Sequence, residues 1–180
     1  NKAYALNEYI DELFTIAQID ADEVQLVFEQ IDLLELLRSE LIGWVPRLQK
    51  ERVTLEVQIP DEEYFVIGDQ HALIRIFSNL LQNAFRYGIC NHFVGVSAWA
   101  DDNNVYFEVW DKGPGLSQDE IARVFERLYK GDSSRSTKGH GLGLAIAKEL
   151  VQKMKGTIYM ESTPYIKTLV RVSLPKSKKK

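Results

Sequence analysis

Residues 139–143 read Gly-His-Gly-Leu-Gly and lead into the apolar helical pattern of residues 144–150. This stretch constrains the fold most, because alternating glycines bring bare backbone N–H groups and a helix N-terminus up to an anion. Phosphate is the anion we expect. Glycines before a helix also make ordinary caps and tight packing, so the motif alone leaves that interpretation open. We name residues 139–143 the glycine loop.

Two common phosphate-binding motifs do not fit this loop. A dinucleotide fingerprint needs Gly-x-Gly-x-x-Gly directly after a strand. Here the spacing is Gly-x-Gly-x-Gly, and the preceding residues 130–138 are polar and loop-like. A Walker loop is absent as well, because the sequence contains no Gly-Lys-Ser or Gly-Lys-Thr. If this loop binds phosphate, it uses a different cradle.

Composition narrows the class of protein. The chain has 180 residues, 45% of them hydrophobic and 27% charged, which suits one globular domain with a possible appended element. The net charge of −4 gives no reason to expect nucleic-acid binding. Cys90 is the single cysteine, so an internal disulfide is impossible and a reducing compartment fits.

Targeting signals are missing from the sequence. No apolar run reaches the roughly 18 residues needed to cross a bilayer, and no signal peptide is present. The chain begins in a helical pattern without an initiator Met. We therefore expect a cytosolic fragment of a longer protein.

The N-terminal part of the chain predicts two helices and two short strands. An apolar seam with spacings of four, three and four runs through Leu6, Ile10, Leu13 and Ala17. A helix this short needs a packing partner, and that partner can lie outside this chain. A connection follows. Asp32 with Glu35 predicts a capping box for a second helix, in which Pro46 is expected to introduce a kink or a local opening. Strands are predicted at residues 54–59 and 64–67.

The pattern returns to the helical period between Asp69 and Tyr87. The buried face is expected to consist of Leu73, Ile76, Phe77, Leu80, Leu81 and Ala84. Asn79 and Asn83 stand four residues apart, so both project from one side of this helix. Asparagine is a poor residue for a helix interior, and two at this spacing suggest a function.

The C-terminal half predicts four more strands, at residues 93–100, 105–110, 156–162 and 168–174. Between them, Ser117 is predicted to cap a short helix and the glycine loop to open a longer one. This mixed order of helices and strands indicates an α+β fold: a two-layer α/β sandwich with helices on one face of a mixed, mainly antiparallel sheet.

Four segments occur in an order that resembles a known family. They are Asn-Leu-Leu-Gln-Asn-Ala-Phe-Arg-Tyr at 79–87, Asp-Lys-Gly-Pro-Gly-Leu at 111–116, Phe-Glu-Arg-Leu-Tyr-Lys-Gly-Asp at 125–132 and Gly-His-Gly-Leu-Gly-Leu at 139–144. They resemble the N, G1, F and G2 boxes of sensor histidine kinases. The resemblance implies the Bergerat-type ATP-binding fold, also found in gyrase, Hsp90 and MutL, and the cofactors ATP and Mg²⁺.

The resemblance also implies a division of the chain. Residues 1–19 are expected to be the C-terminal part of the helical hairpin that carries dimerisation and the phosphoacceptor, and residues 20–31 a linker. Residues 32–175 are then the catalytic ATP-binding domain, and residues 176–180 a basic tail.

Carried over position by position, the resemblance implies roles at the phosphates. Asn83 is expected to be the Mg²⁺ ligand, because its amide oxygen suits a hard cation. Asn79 is expected near the phosphates one turn earlier, and Arg86 is expected to meet phosphate as a fixed positive charge. The groups expected to act on the transferred phosphoryl are Asn79, Arg86 and Lys130.

At the base, the resemblance implies that Asp111 accepts a hydrogen bond from the exocyclic amine of adenine. This contact would distinguish adenine from guanine. Tyr87 is expected to flank the nucleotide. Gly113 and Gly115 are expected to let the backbone approach the base and the sugar.

The polar segment before the glycine loop is expected to be a mobile lid. Lys130, Arg135 and Lys138 are expected to reach the terminal phosphate, while Phe125 and Leu128 anchor the lid. The residues expected to wrap the phosphates at the helix N-terminus are Gly139, His140, Gly141, Leu142, Gly143 and Leu144.

One family feature is missing. The phosphoacceptor histidine of such kinases lies in a His-Glu/Asp-x-Arg/Lys box, and the surroundings of His71, His92 and His140 do not match it. His71 is expected to lie exposed at a helix start. The phosphoacceptor helix is expected to precede residue 1.

The resulting hypothesis is the ATP-binding catalytic domain of a two-component sensor histidine kinase, the cytoplasmic part of a membrane-anchored bacterial protein. Its expected partners are its own dimerisation domain within a homodimer and a response regulator, and no nucleic acid. Two alternatives stay open. One is a related serine kinase or ATPase, although ATPase clamps of this fold use a glutamate where this chain has Asn79. The other is a degenerate nucleotide-binding module that acts by interaction.

Overall fold

The computed structural model describes residues 2–21, 23–129 and 140–179. Within these ranges the chain forms six helical segments and seven strands. The helices are α1 (Lys2–Asp20), α2 (Leu33–Lys50), α3 (Gln70–Gly88), α4 (Gln118–Arg123) and α5 (Gly143–Lys153), with a 3₁₀ turn at Ile89–Asn91. The strands are β1 (Glu29–Asp32), β2 (Thr54–Gln58), β3 (Phe65–Gly68), β4 (Phe93–Ala100), β5 (Asn104–Asp111), β6 (Thr157–Thr163) and β7 (Lys167–Ser177).

The strands form one sheet in the order β1-β3-β7-β5-β4-β2, and β6 pairs with β7. Strands β2 and β4 are parallel, and the other pairs are antiparallel. One hydrophobic core joins α2, α3 and α5 to the inward residues of this sheet. The predicted two-layer sandwich with a mixed, mainly antiparallel sheet is confirmed.

Helix α3 follows its sequence pattern closely. All six residues predicted for its buried face are at most 3% exposed. Asp69 caps the helix, because its Oδ1 accepts a hydrogen bond from the Ala72 amide at 2.8 Å. Its Oδ2 accepts another at 2.8 Å from the amide of Val27, in the segment that follows α1. The residue that starts α3 therefore also fixes the incoming chain.

The predicted apolar seam of helix α1 stays exposed, and another stripe of the same helix packs against the rest of the chain. Ile10 and Leu13 of the predicted seam are 53% and 41% exposed, and Ala17 is exposed too. Ile16 and Ile19 are buried instead, at 9% and 8% exposure. The sequence alone does not show which of two apolar stripes meets the rest of the chain.

Two further expectations differ from the structure. Strand β1 lies in the segment predicted as a linker, since Glu29–Asp32 pairs with β3. It has only four residues, of which Ile31 alone is buried, so no alternation marks it. Helix α2 continues through Pro46 to Lys50, so the helix does not open there, while a kink at Pro46 stays a prediction. Asp32 caps this helix as predicted, while the Glu35 carboxylate contacts Arg38 at 3.4 Å.

No helix among the described residues is both long and apolar enough to traverse a bilayer.

Candidate functional site

Asp111 ends strand β5 on the inner face of the sheet and is 3% exposed. Its Oδ1 accepts a hydrogen bond of 2.7 Å from the amide of Gly113, the single donor that the described residues direct at it. Burial raises the pKa of the Asp111 carboxyl to about 7, although the Gly113 hydrogen bond opposes this shift. A buried carboxyl with so little compensation keeps hydrogen-bonding capacity for another group.

Glycines bring the end of α3 against this carboxyl. A Cβ added at Gly113 would lie 2.5 Å from the Tyr87 carbonyl oxygen and 2.8 Å from Asp111 Oδ1. A Cβ added at Gly88 would lie 2.3 Å from the Phe93 carbonyl oxygen and 2.8 Å from Asp111 Cβ. Side chains are therefore excluded here by backbone contacts. Tyr87 and Asp111, which the sequence predicted to share a site, are neighbours in space.

The β6–β7 hairpin holds the loop after Asp111 in place. Gly115 has a φ of 72°, which favours glycine, and a Cβ there would lie 2.7 Å from Ser162 Oγ. The Ser162 hydroxyl accepts a hydrogen bond of 3.0 Å from the Leu116 amide. The Tyr165 amide donates to the Gly113 carbonyl at 2.8 Å. This loop is thus attached to the β6–β7 hairpin at Gly113 and at Leu116.

Two polar residues near Asp111, Thr168 and Ser162, were not predicted from the sequence as part of the site. Thr168 is directly opposite Asp111 in the β5–β7 ladder and is 6% exposed. Its Oγ1 lies 2.8 Å from Ser162 Oγ, so the two hydroxyls share a hydrogen bond. A buried threonine near the start of strand β7 was the available signal. Its meaning depends on strand register, which one sequence does not reveal.

Asn79 projects from α3 toward the start of α5. The Asn79 Nδ2 donates a hydrogen bond of 2.9 Å to the Gly143 carbonyl. Asn79 therefore fixes the end of the glycine loop. Asn83 is half-buried one turn later, and its amide takes part in no hydrogen bond within the described residues. Arg86, in the last turn of α3, is also half-buried.

The glycine loop is held from its other side by residues 128–129. Gly141 has a φ of 74°, and a Cβ there would lie 2.6 Å from the Tyr129 carbonyl oxygen. The Leu128 amide donates to the Gly141 carbonyl at 3.0 Å. Leu142 is 2% exposed and begins α5 without a side-chain cap. The first amides of α5 thus lack a competing side-chain acceptor.

Other predicted site residues have mixed outcomes. Phe125 packs against the core, but Leu128 is 60% exposed, so its expected anchoring by the side chain is wrong. Leu128 has a φ of 60° and holds the glycine loop through its amide instead. The His140 side chain contacts α1. Half-buried Leu144 lies in the first turn of α5.

Four predicted site residues lie outside the described ranges: Lys130, Arg135, Lys138 and Gly139. His71 lies exposed in the first turn of α3, as predicted. The described part of the chain contains no cluster of three or more His, Cys, Asp or Glu residues that suits a metal ion. Among the described residues, Asn83 offers an amide oxygen of the kind that a hard cation binds.

Comparison with known proteins agrees with this geometry. The family described as histidine kinase-, DNA gyrase B- and HSP90-like ATPase matches residues 68–178. The sensor histidine kinase YcbM of Bacillus subtilis strain 168 is 31% identical over 175 residues, which cover 96% of this chain and 56% of that protein. The sensor protein VanS of Enterococcus faecium is 36% identical over 177 residues, or 97% of this chain and 45% of VanS.

A solved structure of full-length ShkA in complex with AMPPNP has a TM-score of 0.84 and 25% identity to this chain. The superposition covers 97% of this chain and 36% of ShkA. This likeness shows that the two-layer sandwich is the Bergerat-type ATP-binding fold. The chain belongs to the histidine kinase-, DNA gyrase B- and HSP90-like ATPase family, and its relatives named here are sensor kinases. It spans about half the length of those two relatives.

Proposed function

We propose that this chain is the ATP-binding catalytic domain of a two-component sensor histidine kinase. It would position ATP so that the γ-phosphoryl passes to a histidine of the dimerisation domain, and from there to an aspartate of a response regulator. One observation carries the proposal: the Asp111 carboxyl is 3% exposed, receives a single hydrogen bond from Gly113, and is walled by glycine backbone. Such a carboxylate suits a flat base with an exocyclic amine.

The residues present fit ATP and Mg²⁺. The Asp111 carboxylate would accept the adenine amine. Gly113 lets the loop backbone pack closely against Tyr87 and Asp111, where a Cβ would lie 2.5 Å from the Tyr87 carbonyl oxygen. The Asn83 amide oxygen would ligate Mg²⁺. Arg86 would neutralise phosphate charge, as would Lys130, Arg135 and Lys138. When bound, Mg²⁺·ATP supplies the phosphoryl group and part of its charge compensation.

Asn79 favours the kinase over an ATPase clamp. A clamp needs a carboxylate at this position to activate water, whereas the Asn79 amide donates to the Gly143 carbonyl at 2.9 Å. An amide at this position neither accepts a proton nor activates water. The relatives named as sensor kinases support the same choice. The presence of Asn83, Asp111 and the motif glycines disfavours a degenerate module.

The exposed stripe of α1 supports the proposed architecture. Ile10, Leu13 and Phe14 are 53%, 41% and 63% exposed on one helix. An apolar stripe of this kind suits a helix of the dimerisation hairpin in a homodimeric kinase. Residues 1–19 would then be the end of that hairpin, and the whole kinase would hold this chain on the cytoplasmic side of a membrane anchor.

The test is a calorimetric titration of this chain with ADP and GDP, with and without Mg²⁺. We expect binding to ADP that Mg²⁺ strengthens, and no binding to GDP, because Asp111 cannot accept from the guanine carbonyl. Asn83→Ala should abolish the Mg²⁺ effect. Gln82→Ala is the matched control. Gln82 precedes Asn83 on α3, and its Oε1 accepts a hydrogen bond of 2.8 Å from Arg47 of α2. Equal affinity for ADP and GDP would contradict the proposed base pocket.

Phosphoryl transfer requires a kinase that also contains the dimerisation domain. In that protein, Asn83→Ala should reduce histidine phosphorylation by about 100-fold or more, because a lost metal ligand removes charge stabilisation of the transferred group. Gln82→Ala should phosphorylate normally. Near-normal transfer by Asn83→Ala would contradict the assigned metal ligand.

A further inference from the structure

The glycine loop contacts helix α1 through the side chain of His140. The rings of His140 and Tyr9 have centroids 4.1 Å apart and planes inclined by 30°. His140 Nδ1 lies 3.3 Å from Glu12 Oε2. Both side chains are largely buried, since 29% of the His140 side chain and 18% of the Glu12 side chain are exposed. A residue of the glycine loop therefore packs against helix α1.

Helix α3 takes part in the same contact. Arg75 donates from Nη2 to the Asp11 carbonyl at 3.4 Å. Burial lowers the pKa of the Arg75 guanidinium, and the charges of Glu12 and Asp11 oppose that shift. The Glu12 carboxylate thus interacts with the glycine loop through His140 and with α3 through Arg75. Further along α1, buried Ile16 joins the hydrophobic core.

The loop is also held on the side away from α1. The Leu128 amide donates to the Gly141 carbonyl at 3.0 Å, and Asn79 Nδ2 donates to the Gly143 carbonyl at 2.9 Å. Between these points the backbone of Gly141 has a φ of 74°. Glycine-rich backbone has many accessible conformations, so each contact that fixes one of them lowers the entropy lost when a ligand orders the loop.

We propose that Tyr9 and Glu12 are positioning residues for the glycine loop, acting through His140, so that seating of α1 and nucleotide binding strengthen each other. The proposal rests on the proposed nucleotide-binding function. The coupling is reciprocal: a helix that orders the loop raises nucleotide affinity, and a nucleotide that orders the loop holds the helix more tightly. Movement of α1 would then change the occupancy of the nucleotide site.

The first experiment reads the contact without nucleotide. Amide hydrogen exchange of residues 140–142 is compared in the whole chain and in Tyr9→Ala. We expect exchange at these amides to accelerate in Tyr9→Ala and to stay unchanged in Phe28→Ala. Phe28 is the matched control, because it is an aromatic residue just after α1 that is 52% exposed. Equal exchange in all three proteins would overturn the proposed seating of the loop.

The second experiment measures ADP affinity in the same proteins. Tyr9→Ala should weaken ADP binding by about 3- to 10-fold, because one or two more side chains must then be ordered when ADP binds. Tyr9→Phe keeps the ring and should retain normal affinity. Glu12→Gln removes the charge that faces His140 and Arg75. Its ADP affinity should lie between those of Tyr9→Ala and Tyr9→Phe. Phe28→Ala should bind ADP as the unmodified chain does.

The two experiments separate two failures. If the unmodified chain does not bind ADP, the proposed function fails, and hydrogen exchange still decides whether Tyr9 orders the loop. If the unmodified chain binds ADP and Tyr9→Ala binds equally well, the coupling is overturned while the proposed function stands. Circular dichroism checks that α1 stays helical, and Tyr9→Phe and Glu12→Gln give the decisive comparison if Tyr9→Ala loses helix.

Discussion

Two carboxylates of strand β5 have nearly the same burial and opposite surroundings. Glu108 is 5% exposed and Asp111 is 3% exposed, and their separation of three residues places them on opposite faces of the sheet. Glu108 accepts hydrogen bonds from Lys167 at 2.8 Å and from Arg171 at 2.7 and 2.9 Å. Asp111 accepts one, at 2.7 Å, from the amide of Gly113.

The difference appears in the two pKa values. Burial raises the pKa of Glu108, but the hydrogen bonds and charges of Lys167 and Arg171 outweigh it and bring the pKa below its usual value. Burial raises the pKa of Asp111 to about 7, because a single backbone amide cannot compensate the lost hydration. Burial alone therefore does not mark a functional carboxylate. Incomplete compensation does.

Aromatic side chains also pack around the cations on the sheet face that carries Glu108. The Arg171 guanidinium lies 4.9 Å from the Trp99 ring centroid and 5.3 Å from that of Tyr159. Trp99 stacks on Tyr106 with centroids 5.3 Å apart. Glu108 thus has all of its partners within the sheet. Asp111 has room and capacity for a partner from outside.

The largest expected effect comes from Asp111→Asn. An asparagine oxygen would serve either the Gly113 amide or the adenine amine, and its NH₂ group would oppose the other donor. ADP affinity should fall by about 100-fold, the loss expected for a hydrogen bond to a charged group. The free energy of unfolding at pH 7.5, measured by urea denaturation, should not decrease, because the substitution removes a poorly compensated carboxyl. A stable Asp111→Asn variant with normal ADP affinity would contradict the role of Asp111 as the carboxylate that binds the nucleotide.

Glu108→Gln should produce the reverse outcome. It leaves Lys167 and Arg171 without their counter-charge, with 39% and 29% of their side chains exposed. We expect the free energy of unfolding to fall by about 2 kcal/mol, less than for a fully buried pair because both cations reach water. ADP affinity should stay within about twofold. Loss of ADP binding without loss of stability would show that the outer face also serves the site.

The pH dependence of stability should have opposite signs at the two carboxylates. Between pH 4 and 7 folded Asp111 keeps a proton that the unfolded chain releases, so its contribution to stability falls as pH rises. With a folded-state pKa of about 7, this fall is about 1 kcal/mol between pH 6 and 7. The difference in unfolding free energy between the unmodified chain and Asp111→Asn isolates it.

The contribution of Glu108 should behave in the other direction. Its folded-state pKa lies below the usual value of 4.5, so its stabilisation is present above that pH and is lost as pH falls through the lowered pKa. Glu108→Gln should therefore differ most from the unmodified chain at neutral pH and least in acid. A constant difference between these two proteins from neutral pH to pH 3 would contradict the pairing.

Lys167→Met should have the smallest effect. Lys167 is the more exposed of the two cations, and Arg171 still provides two hydrogen bonds to Glu108 after the substitution. Methionine keeps much of the packing over Trp110, whose ring centroid lies 4.4 Å from the Lys167 ammonium. Stability should fall by about 0.5 kcal/mol in urea denaturation. A loss equal to that of Glu108→Gln would mean that Lys167, rather than Arg171, holds the carboxylate.

The sequence predicted the elements whose signals are local. Helix α3 has a strong helical period, so its six-residue buried face was predicted correctly. The capping box of Ser117 and Glu120 is present in full. Strand β1 could not be predicted, because four residues with one buried side chain carry no alternation.

The parts of the site that sequence did not predict depend on long-range placement. Thr168 is adjacent to Asp111 only through the β5–β7 register. His140 was expected at the phosphates, but its side chain direction, toward Tyr9, follows from how α1 lies on the domain. The difference between Glu108 and Asp111 likewise depends on which cations the neighbouring strand supplies, and Lys167 and Arg171 are about 60 residues away in the chain.

The most direct measurement is a carbon-13 NMR titration of the carboxyl groups of Asp111 and Glu108, without and with ADP. We predict that Asp111 titrates near 7 in the free protein, that ADP lowers its midpoint by stabilising the ionised form, and that Glu108 titrates below its usual value in both states. An Asp111 midpoint near 4, or one that ADP leaves unchanged, would contradict the account of this carboxylate as the one kept for the nucleotide.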